Sequence, residues 1–146
     1  MLASIEKDIQ TKPRVDNLDS FFAQCLTVLQ GTVLRLKVQD IVCYGLGSFA
    51  ESSDSRLQVR FLQYLANSLQ IPGTIYFYDP VLKPAEIIVG QRLGWQWIDE
   101  NEHTTLFYMP HCEVDMYHNL FEANWSDEQL QQVLVIGNRL DGYLER

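Results

Sequence analysis

The chain has 146 residues, of which 47% are hydrophobic and 21% charged, a balance that fits one globular domain able to bury a core without staples. Its formal net charge of -8, with no Lys/Arg-rich block, argues against a nucleic-acid partner. The stretch Met1 to Asp8 lacks the apolar run of a signal peptide, and no later run is long enough to span a bilayer, so no membrane association is expected. Cys25, Cys43 and Cys112 are scattered without CxxC spacing, as suits a soluble protein of a reducing compartment such as the cytoplasm.

Residues 1 to 16 carry mixed charges and Pro13, and read as a flexible arm ahead of a domain over residues 17 to 146. From Asn17 the positions Leu18, Phe21, Phe22, Cys25, Leu26 and Leu29 recur at helical spacing, with Gly31 as a natural stop. Thr32 to Lys37 then reads as an extended lead-in or a frayed helix. Val38 to Tyr44 is a β-branched strand that empties into Gly45-Leu46-Gly47-Ser48. Side-chain oxygens in Glu51 to Ser55 stand ready to cap an amphipathic helix from Arg56 to Leu69, which ends before Pro72-Gly73.

Thr74 to Tyr78 forms a second strand, closed by Asp79-Pro80. A third helix starts near Pro84, has Glu86 at the positive end of its dipole and stops by Gly94. Trp95 to Ile98 follows as a short strand and Asp99 to Glu102 as a polar turn. Thr104 to Met109 is a strand closed by Pro110-His111-Cys112, and Val114 to Trp125 carries a helical stripe. Gln132 to Ile136 is the last strand, stopped by Gly137-Asn138, and Arg139 to Arg146 adds a final helical turn.

Strands that are apolar throughout and alternate with helices predict an α/β fold. The arrangement is a single Rossmann-like three-layer domain with a mainly parallel sheet of about five strands. Right-handed crossovers gather the loops after the strands at one edge, where open α/β sheets place ligands. The candidate ligand-binding residues are therefore Gly45, Gly47 and Ser48 for close backbone approach, Asp79 as an acceptor, His111 as a lateral contact and Asn138 as a further polar contact. A GxG turn beside a helix start either faces an anionic or polar ligand or simply packs strand on helix. Asp79 likewise reads either as a ribose acceptor or as the cap of its own turn.

The segments Val42-Cys43-Tyr44-Gly45-Leu46-Gly47-Ser48-Phe49, Tyr78-Asp79-Pro80, Phe107 to Cys112 and Asn119 to Trp125 occur in an order that resembles the sensitivity-to-red-light-reduced (SRR-like) domain family. The resemblance covers about Val38 to Asn138. It implies a Rossmann-like fold and a regulatory role, since family members are linked to light signalling and circadian timing in plants. In other eukaryotes they are linked to clock-gene expression, haem metabolism and cytoskeletal stress responses. No defined reaction comes with the family, so it transfers no catalytic residues. The chain ends soon after Asn138, so a functional tail of longer relatives is expected to be absent.

Taken together, these readings predict a regulatory protein of the cytoplasm or nucleus rather than an enzyme. Its crevice would accept a small polar or nucleotide-like ligand, or haem through His111, Cys112 or His118. The alternatives are an enzyme using a nucleotide-like cofactor and a protein-interaction module with a vestigial crevice. No residue is assigned to catalysis, because neighbours His111 and Cys112 point apart in an extended segment. A Cys112 nucleophile would instead draw on His103 or His118. A metal reading from His111, Cys112, Asp115, His118 and Glu122 lacks paired-ligand spacing, so no metal is expected. The aromatics Tyr76, Phe77, Tyr78, Trp95, Trp97 and Trp125 read as core, and Asn124 as a cap of its own helix or a loop fastener.

Overall fold

All five strands run parallel in the computed structural model, which describes Ala3, Glu6, Lys7, Ile9, residues 16–97 and residues 104–143. The elements in chain order are α1 (Asp16–Leu36), β1 (Asp40–Tyr44), α2 (Ser53–Leu69), β2 (Ile75–Tyr78), α3 (Pro84–Arg92) and β3 (Gln96–Trp97). These are followed by β4 (Thr105–Met109), α4 (Val114–Ala123), the short α5 (Asp127–Leu130), β5 (Val133–Gly137) and a 3-10 turn, Leu140–Tyr143. The strand order is β3-β2-β1-β4-β5. The chain thus steps outward from β1 in one direction, then returns to its other side, and the order reverses between β1 and β4. That reversal leaves the loops after β1 and β4 next to each other.

Period-two alternation along each strand divides the core between the two faces of the sheet. Ile41, Cys43, Phe77, Leu106 and Tyr108 pack with α1, α2 and α3, through residues such as Phe22, Val33, Val59, Leu62, Leu65 and Val89. On the opposite face Met109, Phe107, Tyr44 and Val135 pack with Tyr117, Leu120 and Phe121 of α4. Helices on both faces make this a three-layer α/β domain, and explain why the strands lack polar alternation.

The first helix runs past Gly31 to Leu36, contrary to the stop read from the sequence. A helical glycine costs only about 1 kcal/mol relative to alanine, and the apolar stripe continues through Val33, which is buried, and Leu36, which packs on the core. Lys37 ends the helix instead, with φ of 54°. The helical stripe read through Trp125 stops at Ala123, so Trp125 lies outside it and is exposed rather than part of the core. Tyr78 is partly exposed at the end of β2, whereas Trp95 and Trp97 pack edge-on against Phe77.

Of residues 1 to 16, Ile9 is buried, its carbonyl accepts from Arg60 Nε at 3.2 Å, and Glu6 pairs with Arg92 at 2.8 Å. The polar turn read over Asp99 to Glu102, together with Ile98, His103 and the chain beyond Tyr143, lies outside the described residues.

Candidate functional site at the carboxyl edge of the sheet

Leaving β1, the chain turns through Gly45 and Gly47, with φ of 69° and 68°. That left-handed conformation strains any residue with a side chain. The turn is also tightly packed, since a Cβ on Gly47 would lie 2.7 Å from Ser55 Oγ and one on Gly45 would lie 3.0 Å from Cys112 Sγ. Leu46 and Phe49 anchor it in the core. Ser52 then caps α2 by accepting from Ser55 N at 3.2 Å.

Two buried carboxylates receive the hydrogen bonds of this turn. Gly47 N donates to Asp79 Oδ2 at 2.8 Å, and Val81 N donates to Asp79 Oδ1 at 2.9 Å. Ala50 N and Ser48 Oγ donate to Glu86 Oε1 at 2.9 Å and 3.0 Å, while Lys83 N donates to Glu86 Oε2 at 2.9 Å. A bound anion at a glycine-rich turn would take bonds of this kind. Here the protein's own carboxylates take them, and they join the loops after β1 and β2. Lys83 also pairs with Glu51 at the outer edge of this cluster, and that partner raises its pKa.

On the other side of the reversal, His111 is exposed and its Nε2 lies 2.7 Å from Gln58 Nε2. With its proton on Nδ1, His111 accepts a hydrogen bond at Nε2 from the Gln58 carboxamide N–H in this arrangement. Gln58 Oε1 is buried and has no hydrogen-bond partner. Turning the carboxamide over would exchange its ends but still leave one of them unpaired. Asn138 Nδ2 donates to the Cys112 carbonyl at 3.3 Å, and Asn138 N donates to Tyr117 Oη at 2.8 Å. Tyr117 Oη donates in turn to the Met109 carbonyl at 2.6 Å, which ties the ends of β4 and β5 to α4.

All six candidate residues thus follow the ends of strands on one edge. Gly47 meets Asp79 directly, Ser48 meets Glu86, Gly45 abuts the backbone of His111 and Cys112, and Asn138 holds the Cys112 carbonyl. The sequence reading did not single out Gln58 or Tyr117 as site residues, and placed Glu86 only as a charge on the helix dipole. Asn124 caps its own helix, donating from Nδ2 to the Leu120 carbonyl at 2.8 Å.

Beside this edge, between α1, α2 and the ends of β4 and β5, lies a cleft of about 250 Å³. Its lining includes Phe22, Gln58, Phe61, Tyr108, Ile136 and Asn138. A second cavity of about 210 Å³, bordered by Asn67, Gly73, Ile75 and Trp95, opens at the amino ends of the strands, away from all six residues.

Burial shapes the titration of the groups around the site. It pushes the Cys112 thiol up to about 11, with nearby Asp79 adding to the effect. Cys43 is raised as well, first by burial and then by Cys112 and Asp79, and burial also raises Tyr108. A thiol kept protonated at neutral pH is a poor nucleophile or metal ligand. His118 and Glu122 form an exposed pair 3.7 Å apart on α4, and among the described residues no three His, Cys, Asp or Glu side chains gather to hold a metal ion. Haem does not fit these residues either. Cys112 is buried and protonated, His118 is exposed on a helix face, and His111 Nε2 is held against Gln58. The cleft is also smaller than the roughly 300 to 1,000 Å³ of sites for drug-sized ligands.

The SRR1 domain family model matches residues 13–146. An SRR1-like protein of Mus musculus is 40% identical over 114 residues, covering 72% of this chain and 46% of that protein. Protein SENSITIVITY TO RED LIGHT REDUCED 1 of Arabidopsis thaliana is 32% identical over 114 residues, covering 73% of this chain and 42% of that protein. An SRR1-like protein of Drosophila melanogaster is 30% identical over 145 residues, covering 89% of this chain and 52% of that protein. The chain spans about half the length of the curated relatives it matches. No solved structure matches it.

Proposed function

The chain belongs to the SRR1 domain family, and from that premise we propose that it is a regulatory domain which senses a small molecule at the carboxyl edge of its sheet. The observation that carries the proposal is the Gln58–His111 contact, which links a loop at the strand-order reversal to an apolar cleft. A polar anchor at the mouth of an apolar cavity, at the ligand edge of an open α/β sheet, is how such folds hold small molecules. The name of the Arabidopsis relative speaks of red-light sensitivity. By extension from it, the response regulated is light-linked or circadian and operates in the cytoplasm or nucleus.

Regulation is favoured over catalysis by the chemistry of the edge. His111 meets a carboxamide rather than a carboxylate or a nucleophile, and Cys112 stays protonated at neutral pH, so among the described residues no activated nucleophile and base stand together there. The test is a thermal-shift and calorimetric screen with nucleosides, nucleotides, dinucleotides and S-adenosylmethionine. A ligand at 100 times its Kd stabilises the fold by about 2.7 kcal/mol, which is expected for at least one compound and is lost on His111→Ala. A screen in which no compound moves the melting temperature sinks the proposal.

A further inference from the structure

We infer that the cleft between α1, α2 and the ends of β4 and β5 binds an uncharged planar heterocycle of the nucleobase class, and discriminates against its phosphorylated form. The inference rests on the small-molecule reading above and narrows it to one chemical class. Three features of the structure lead to it.

The first is size and wall chemistry. About 250 Å³ suits a single ring system rather than a dinucleotide. The wall is aromatic, with Phe22 and Phe61 rings 4.8 Å apart and Phe61 and Tyr108 rings 6.1 Å apart. Aromatic side chains stack on the face of any base, whatever its edge.

The second is the edge that the ligand must present. Gln58 lines the cleft with one carboxamide end against His111 and the other buried without a partner. Buried polar atoms are almost always paired, so this one marks a missing hydrogen-bond partner. Whichever end of the carboxamide is buried, it calls for a complementary N–H or acceptor, and every nucleobase carries both on its Watson–Crick edge.

The third is charge. The turn amides that would cradle a phosphate already donate to Asp79 and Glu86, as does Ser48 Oγ. Arg56, two residues before Gln58, donates to the Phe49 and Ala50 carbonyls at 3.0 Å and 3.3 Å. A phosphate arriving at this edge meets two carboxylates on a protein of net charge -8.

Calorimetry of the full chain with adenosine, guanosine, cytidine and uridine, and with their monophosphates, tests this directly. At least one nucleoside is expected to bind ten times or more tightly than its monophosphate. Gln58→Leu is expected to weaken that binding at least tenfold while melting at or above the parent, because it removes the unpaired end of the carboxamide. Gln58→Met takes its place should the leucine variant fail to fold. The inference is overturned by a monophosphate that binds as tightly as its nucleoside, by full affinity in the Gln58 variants, or by four nucleosides that do not bind. A hit from another class in the wider screen, with no nucleoside binding, keeps the small-molecule reading and removes only this one.

Discussion

The Gly47 amide donates to the Asp79 carboxylate across 32 positions of chain, and the same carboxylate holds Val81 N with its other oxygen. One buried side chain therefore fixes the shape of two loops, those after β1 and β2. Hydrogen bonds to a charged group contribute about 1.5 to 3 kcal/mol each, and not additively when they share an acceptor. Asp79→Ala is expected to cost about 3 kcal/mol, and Asp79→Asn less, because the amide retains one acceptor. Urea unfolding of the two variants checks this. A carboxylate that served only a ligand would leave the stability of the free protein unchanged on removal.

Glu86 forms the second clamp. It is fully buried and holds Ser48 Oγ, Ala50 N and Lys83 N, tying the first turn of α3 to the glycine-rich loop. Ser48→Ala removes one donor and leaves the carboxylate two others, for an expected loss of about 1 kcal/mol. Glu86→Ala strands three donors, and its expected loss is about 3 kcal/mol or more. A double-mutant cycle between the two positions isolates their coupling, and a coupling near zero contradicts the contact.

The glycine turn offers a sharper contrast between backbone and side-chain effects. At Gly47 the φ of 68° and the 2.7 Å approach to Ser55 Oγ both oppose a methyl group. Gly47→Ala combines the left-handed penalty, about 1 to 2 kcal/mol, with displacement of Ser55. Pairing it with Ser55→Gly removes the steric part and leaves the conformational part. Thermal melts of the single and double variants should show partial recovery. Full recovery contradicts the conformational cost, and no recovery contradicts the clash.

The fold was legible because each strand carried its own signal. β-branched and aromatic runs ended at Gly45, Asp79, Pro110 and Gly137, and the structure ends its strands at or next to these residues. What failed were rules about single residues. Gly31 does not stop a helix whose buried stripe continues on its far side, and Trp125 leaves the stripe one residue beyond the cap at Asn124. The gathering of strand-end loops followed from topology alone. The carboxylate clamps did not, because the bond between Ser48 and Glu86 joins residues 38 positions apart and has no periodic trace. Gln58 was equally hidden, since a glutamine on a helix looks solvated until the fold buries its oxygen.

Cys112 and Cys43 extend the argument to pH. Burial raises both thiols, Cys112 from 9.0 to about 11 and Cys43 well above 9.0, and it raises Tyr44 and Tyr108 as well. A group raised on folding keeps its proton in the native state over a range where the unfolded chain has lost it, so stability falls as pH rises through that range. The contribution of Cys112 is complete below pH 9 and disappears between about 9 and 11. Melting temperature is therefore expected to drop across that interval. Cys112→Ser and Cys112→Ala should both flatten part of the drop, since neither side chain ionises there. At pH 7.5 iodoacetamide should modify half-buried Cys25 well before Cys112 or Cys43. Alkylation of Cys112 at the rate of an exposed thiol contradicts the packing of Gly45 against its sulfur.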